Sequence, residues 1–323
     1  MIIDSYGDLP YESSANNKKW KIMMKTSQLN FISQGTRCAG TLQLPEYNRK
    51  APVIIMAQGF GLIKEVGLPQ FAERFVAQGY AVFSFDYRGF GESEGHPRHW
   101  VSPKRHLEDW KAALDFIRTL STVDTQQVIL WGYSFSGGHA IQTAAADGQV
   151  KAVILQAPHV DGRSSLKGVP FSKLAKLSLA GFMDLFGGLV NKPVYRPIIG
   201  RENEIAAMTA PEAWDGYLSQ VPKHANWENK TRARIFLEVA NYNPTRFVHK
   251  LTMPTLVISG QRDSVIPEAL IRTAVQKMPS AQYFMLNSNH FEFCEGDVFE
   301  KNIALQLAFL KENVPAHLIA AVA

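Results

Sequence analysis

Residues 52–57 read PVIIMA and residues 80–86 read YAVFSFD, apolar runs with almost no alternation. A strand with one face in water alternates polar and apolar side chains, so a continuous run must be covered on both faces. Two more such runs follow, QVILWG at 127–132 and VKAVILQAP at 150–158. Helix patterns stand between them. Leu68, Phe71, Ala72, Phe75 and Val76 recur on one face, with Pro69 near the start and Gly79 past the end. Leu107, Trp110, Leu114 and Ile117 mark a second helix, and 135–146 a third. Doubly buried strands alternating with helices predict an α/β fold with a doubly wound, mostly parallel sheet. Upstream, short alternating segments over 22–44, punctuated by Gly35 and Gly40, predict antiparallel edge strands.

The rhythm stops after residue 158. Over 161–250 the chain is helix-like and aromatic (Phe182, Phe186, Trp214, Tyr217, Trp227, Phe236), with no buried-strand run. It then resumes with a strand at 254–260, a helix at 269–278, a strand at 282–287 and a helix at 297–313. The expected organisation is therefore one core domain, residues 1–160 and 251–323, with a helical cap, residues 161–250, inserted in it. The polar first twenty residues predict a loosely held arm, and the terminal PAHLIAAVA a fraying tail.

Composition removes several function classes. Cys38 and Cys294 are the only cysteines, too few for a disulfide framework and without zinc-type spacing. A net charge of +5 is spread without a run of five cations. The densest patch, KTRAR at 230–234, falls where the chain reads helical and is expected to be a solvated helix face, so no nucleic-acid partner is expected. No apolar stretch reaches the length of a membrane span, and no basic-then-apolar leader opens the chain. The expectation is a cytoplasmic protein that needs neither membrane nor cofactor.

Chemistry concentrates in WGYSFSGGH at 131–139. Ser134 occupies the turn between a strand and a helix, where a strained, exposed nucleophile can sit if its neighbours are small. Gly132 fits G-x-S-x-G, but Ser136 stands where the second glycine belongs, with Gly137 and Gly138 behind it. A nucleophile needs a base, and the base an orienting carboxylate. Asp263 follows the strand at 254–260 and His290 the strand at 282–287, the order serine, acid, histidine at successive strand ends. Backbone N–H groups of Phe135, after the serine, and Phe60, in the QGFG turn after the first buried strand, are candidate oxyanion donors.

Blander readings stand beside these. Ser134 could be a helix N-cap, Asp263 a cap for the helix near Pro267, and His290 a surface histidine. His96, His99 and His106 suggest a metal, but prolines between them fit a loop better than a ligand set. His139 fits packing, and His159 could line a pocket. Asp86 and Arg88 in FDYRGFGES look catalytic but follow a different strand, so a structural turn is expected there.

In these segments, and in MAQGFGLIKEVGLPQFAERFVAQGYAVFSFDYRGFGESEG, PTLVISGQRDSVIP and NSNHFEFCEG, the chain resembles the α/β-hydrolase superfamily over about residues 44–313. It is similar to capped members near the dienelactone hydrolases, the acetyl-xylan esterases and the fungal polyketide thiohydrolases and transferases. A serine before GGH is usual in that subgroup. Gln58 departs from a position often held by histidine, which implies altered support for the oxyanion loop. The resemblance implies Ser134, Asp263 and His290 as a triad. The aromatic insertion predicts a lid over an apolar acyl pocket, and with it a small-molecule ester or thioester with an apolar portion as substrate. Acyl transfer or C–C cleavage by the same triad, and a silent binding protein on the same fold, remain open. So does the choice between monomer and homodimer.

Overall fold

The computed structural model describes residues 24–46 and 50–316. The expected N-terminal arm, and residues 317–323 of the tail, lie outside the described residues. The chain begins with a hairpin, β1 (Met24–Ser33) and β2 (Thr36–Pro45), turning at Gly35. The α/β alternation follows: β3 (Ala51–Ala57), α1 (Leu68–Ala77), β4 (Ala81–Phe85), α2 (Pro103–Ile117), β5 (Val123–Tyr133), α3 (Phe135–Asp147) and β6 (Ala152–Gln156). A long stretch then carries α4 (Phe171–Gly187), β7 (Tyr195–Arg196), α5 (Ala213–Gln220), β8 (Thr231–Arg232) and α6 (Ile235–Glu238). The chain returns to the sheet with β9 (Thr255–Gly260), α7 (Glu268–Val275), β10 (Ala281–Leu286) and α8 (Gly296–Asn313).

Eight strands form one sheet in the order β1-β2-β4-β3-β5-β6-β9-β10. Within this sheet the β1–β2 and β2–β4 pairings are antiparallel, so the hairpin lies at one edge, and the other pairings are parallel. Every residue of β3, β4, β6 and β9 is buried. Alternate side chains of β3 serve opposite faces. Val53, Ile55 and Ala57 join the core beneath α2, α3 and α7, while Ile54 and Met56 join the one beneath α1 and α8. Each fully buried Ile or Met contributes roughly 1.5–3 kcal/mol of transfer free energy. The apolar runs are thus uninterrupted because both faces are covered.

β6 and β9 are neighbours with 98 residues between them, and buried side chains of that stretch such as Ile198, Tyr217, Ile235 and Tyr242 join the core beneath α2, α3 and α7. The organising charge of the stretch is Asp184 on α4, fully buried, which receives Arg232 Nη2 at 2.7 Å and Arg234 Nε at 2.8 Å. Burial opposes ionisation of this carboxyl, but the hydrogen bonds from Arg232 and Arg234 outweigh it and hold the group below its usual range. This corrects the expectation of a solvated helix face at 230–234. Thr231 and Arg232 pair with Tyr195 and Arg196 in a two-residue strand, and Arg232 is buried. A single buried carboxylate required two cations, and sequence spacing carries no trace of a partner nearly fifty residues away.

Candidate active site

Ser134 lies between β5 and α3 with φ 57° and ψ −124°, a backbone state that costs a non-glycine residue about 1–3 kcal/mol. The surroundings enforce it. Its N–H donates to Gln156 O at 2.9 Å, and its carbonyl accepts from Gly137 N at 2.9 Å and His159 N at 2.8 Å. Strand and helix approach so closely that a Cβ at Gly132 would lie 2.5 Å from Ser136 O. Ser136 is fully buried, and its hydroxyl donates to Ala57 O at 2.6 Å, joining the turn to the end of β3. A small polar residue is therefore accommodated where a glycine is usual, because its own oxygen finds a partner.

The other two predicted side chains meet Ser134 from neighbouring loops. His290, after β10, holds Nε2 at 3.0 Å from Ser134 Oγ. Its Nδ1 lies 2.6 Å from Asp263 Oδ2, after β9. A carboxylate only accepts, so the proton sits on Nδ1, and Nε2 offers its lone pair to the serine hydroxyl. Asp263 Oδ1 accepts from Val265 N and Ile266 N, so the carboxyl caps its own turn as well as orienting the imidazole. His290 is 2% exposed and stacks on Tyr133, with ring centroids 5.3 Å apart. The Tyr133 hydroxyl donates to His290 O. Tyr133 escaped sequence reasoning as a support for the imidazole, since in the motif it is only the variable residue before the serine.

The turn after β3 closes against this elbow. A Cβ at Gly59 would lie 3.1 Å from both Ser134 Cβ and Tyr133 O, so a larger residue here would press the turn away from the elbow. Gln58 is buried. Its Oε1 accepts from Gly59 N at 2.9 Å, and its Nε2 donates to Val66 O. Among the described residues, no acceptor faces the N–H of Phe60 or that of Phe135. Their rings touch, with centroids 5.3 Å apart.

Behind Phe135 lies a buried chain of polar rings. The Tyr242 hydroxyl lies 2.7 Å from His139 Nδ1, and His139 Nε2 lies 3.2 Å from His106 Nδ1. Burial lifts the Tyr242 phenol well above its usual range, so it stays protonated and donates. Burial pushes His139 and His106 well below the usual imidazole range, so both stay neutral. His159 stands beside them, its ring parallel to Tyr242 at 5.7 Å. Burial brings it down to about 4, with Asp161 opposing the shift and His290 adding to it. Its Nε2 is buried without a hydrogen-bond partner among the described residues.

The remaining candidates sit elsewhere. His99 Nε2 faces Glu228 Oε1 at 3.0 Å, and His106 stacks on Tyr87. Among the described residues no three ligand-type side chains gather as a metal would need. Asp86 accepts from Lys64 N at 2.7 Å and Glu92 N at 3.1 Å, while Arg88 pairs with Asp109 and Glu108. Both secure the turn after β4.

The stretch between β6 and β9 reaches each of these loops. The Tyr217 hydroxyl donates to Phe60 O, Trp227 Nε1 to Gly61 O at 2.9 Å, and Gln220 Nε2 to Phe291 O at 3.2 Å. Glu212 accepts from Ser264 N at 2.9 Å, next to Asp263.

Known proteins share this architecture. The quorum-quenching protein AidA of Acinetobacter baumannii is 38% identical over 289 residues, which cover 89% of this chain and 95% of that protein. The polyketide transferase af380 of Aspergillus fumigatus is 27% identical over 82% of this chain and 91% of its own. Among solved structures, the α/β-hydrolase GrgF of Penicillium sp. superposes with a TM-score of 0.77 at 23% identity, covering 90% of this chain and 99% of that one. The family described as serine aminopeptidase, S33, matches residues 49–287. From β3 to the end of β10 the sequence follows that family's pattern, and the chain belongs to these α/β-hydrolases.

Proposed function

We propose that this protein is a serine hydrolase of carboxylic esters or thioesters. The observation that carries the reading is the continuous hydrogen-bond line from Ser134 Oγ through His290 to Asp263. Ser134 Oγ attacks the acyl carbonyl carbon while its proton passes to His290 Nε2. The imidazolium is held by Asp263, which keeps its orientation and compensates its charge. The N–H groups of Phe60 and Phe135 take the oxyanion, neither having a competing acceptor among the described residues. His290 then returns the proton to the leaving alcohol or thiol, and water repeats the sequence to release the acid.

Residues 161–250 act as a cap over an apolar acyl pocket. Support comes from the Tyr217, Gln220 and Trp227 hydrogen bonds to the loops that carry Phe60 and Phe291. Apolar ring surface there suits an acyl chain.

The test is a panel of acyl esters and thioesters assayed with the wild type and with Ser134→Ala. The expected result is turnover of at least one substrate and a loss of about 10⁴-fold or more in the variant. A variant that retains wild-type turnover removes Ser134 from the chemistry. Acyl transfer is a second reading, favoured by the relative named a polyketide transferase. Product analysis with an added alcohol or amine separates it from hydrolysis: transfer yields the new ester or amide in preference to the acid.

A further inference from the structure

The outer face of α4 is apolar and uncovered. Phe171, Leu179, Phe182, Met183 and Phe186 are all exposed, and the turn that follows adds Leu189 and Val190, exposed by 82% and 66%. The inner face, with Leu177, Ala180, Gly181 and Asp184, is buried, Gly181 against Leu237 of α6 and Asp184 against Arg232 and Arg234. The outer side chains keep half or more of their surface exposed, and a contiguous apolar surface of this kind marks a contact with something else.

Exposed charge along the span that carries the face is of one sign, and the nearby Glu228 is paired with His99 and Lys230. The exposed charged residues of 161–196 are Arg163, Lys167, Lys176 and Lys192, all cations. The two acids in that span are internally engaged: Asp184 by its arginines, and Asp161 by Arg163 N and Ser164 Oγ. Beside Leu189 and Val190 opens a cavity of about 600 Å³ lined by His96, Arg98, Gly188, Asn191, Tyr195 and Arg232. Its lining includes no carboxylate. Arg98 donates to the carbonyls of Ser93 and Gly91 and has no ion-pair partner among the described residues.

We propose that α4 and its following turn dock this protein onto an anionic lipid surface, with Phe182, Phe186 and Leu189 entering the acyl boundary and a headgroup phosphate meeting Arg98 in the neighbouring cavity. An amphipathic helix with an apolar face and flanking lysines lies in the interface plane, bound by buried apolar area and by attraction to anionic lipid. No helix among the described residues is long and apolar enough to span a membrane, so the contact is peripheral.

The experiment is co-sedimentation of the full chain with vesicles of phosphatidylcholine, alone or mixed with phosphatidylglycerol. The expected result is pelleting with the mixed vesicles only, abolished by Phe186→Ser with Leu189→Ser. Lys192→Glu should weaken it about five-fold or more, and high salt should weaken it further. Thermal melting of each variant checks that the fold is kept. The proposal is overturned if the wild type stays in the supernatant with both vesicles, or pellets equally with both. It is also overturned if the folded serine double variant pellets like the wild type. A concentration-dependent dimer that the same double variant dissociates, with no lipid binding, assigns the face to a second copy and overturns it as well.

Discussion

At Ser136 the departure from G-x-S-x-G has a local explanation. The side chain at this position does not collide with the strand; it hydrogen-bonds to Ala57 O. Ser136→Ala leaves that carbonyl short of a donor, and a loss of about 1 kcal/mol in urea unfolding is expected, with kcat little changed. Asp263 divides its oxygens between the backbone of its turn and the His290 imidazole. Asp263→Asn keeps the turn but offers an amide that favours the wrong imidazole tautomer. A drop of about 10⁴-fold in kcat with an almost unchanged melting temperature is the expected outcome. The sequence made Ser134, Asp263 and His290 legible because each follows a strand, and strand ends deliver residues to one edge of the sheet. Tyr133 and the buried Tyr242–His139–His106 chain were not legible as a unit, since rings 33 and 103 residues apart meet only through the packing of α2, α3 and the inserted stretch.

Elements were legible where burial imposes a period. The apolar runs mark β3, β4, β6 and β9 to within a residue or two, because water is excluded from both faces of each. β5 starts four residues earlier than its apolar run, at Val123, since its polar beginning pairs with Ala51 and Pro52 before a register shift. The inserted stretch was least legible. Its order depends on Asp184 and two arginines rather than on a period, and that produced the mistaken reading of residues 230–234. Removing one partner of a buried ion pair costs about 3–5 kcal/mol. Asp184→Asn is therefore expected to loosen α4, β7 and β8 selectively. Hydrogen exchange should rise in 171–196 and 231–234 while the amides of β3, β5 and β9 keep their protection; uniform loss across the sheet would contradict a local role for Asp184.

Across the whole molecule, parallel strands and their covering helices followed from alternation alone, whereas the sheet order did not. Spatial order is set by where each crossover lands, which a one-dimensional pattern does not encode. The same packing makes stability depend on pH. His106, His139 and His159 are held neutral by burial, His159 with a value of about 4. Below the ordinary imidazole range the unfolded chain takes up protons that the folded chain refuses, so stability is full above about pH 6.5 and falls toward pH 4. For His159 alone the loss is about 3 kcal/mol by pH 4. Urea midpoints measured between pH 7 and pH 4.5 should fall, and fall less steeply in His159→Gln.

The central claim is that the fold activates one serine. Intact-mass spectrometry after treatment with a fluorophosphonate tests it without any assumption about substrate. One adduct on the wild type, absent from Ser134→Ala, is the expected result. A folded wild-type protein that takes no adduct, or a Ser134→Ala variant labelled as readily as the wild type, would contradict the account.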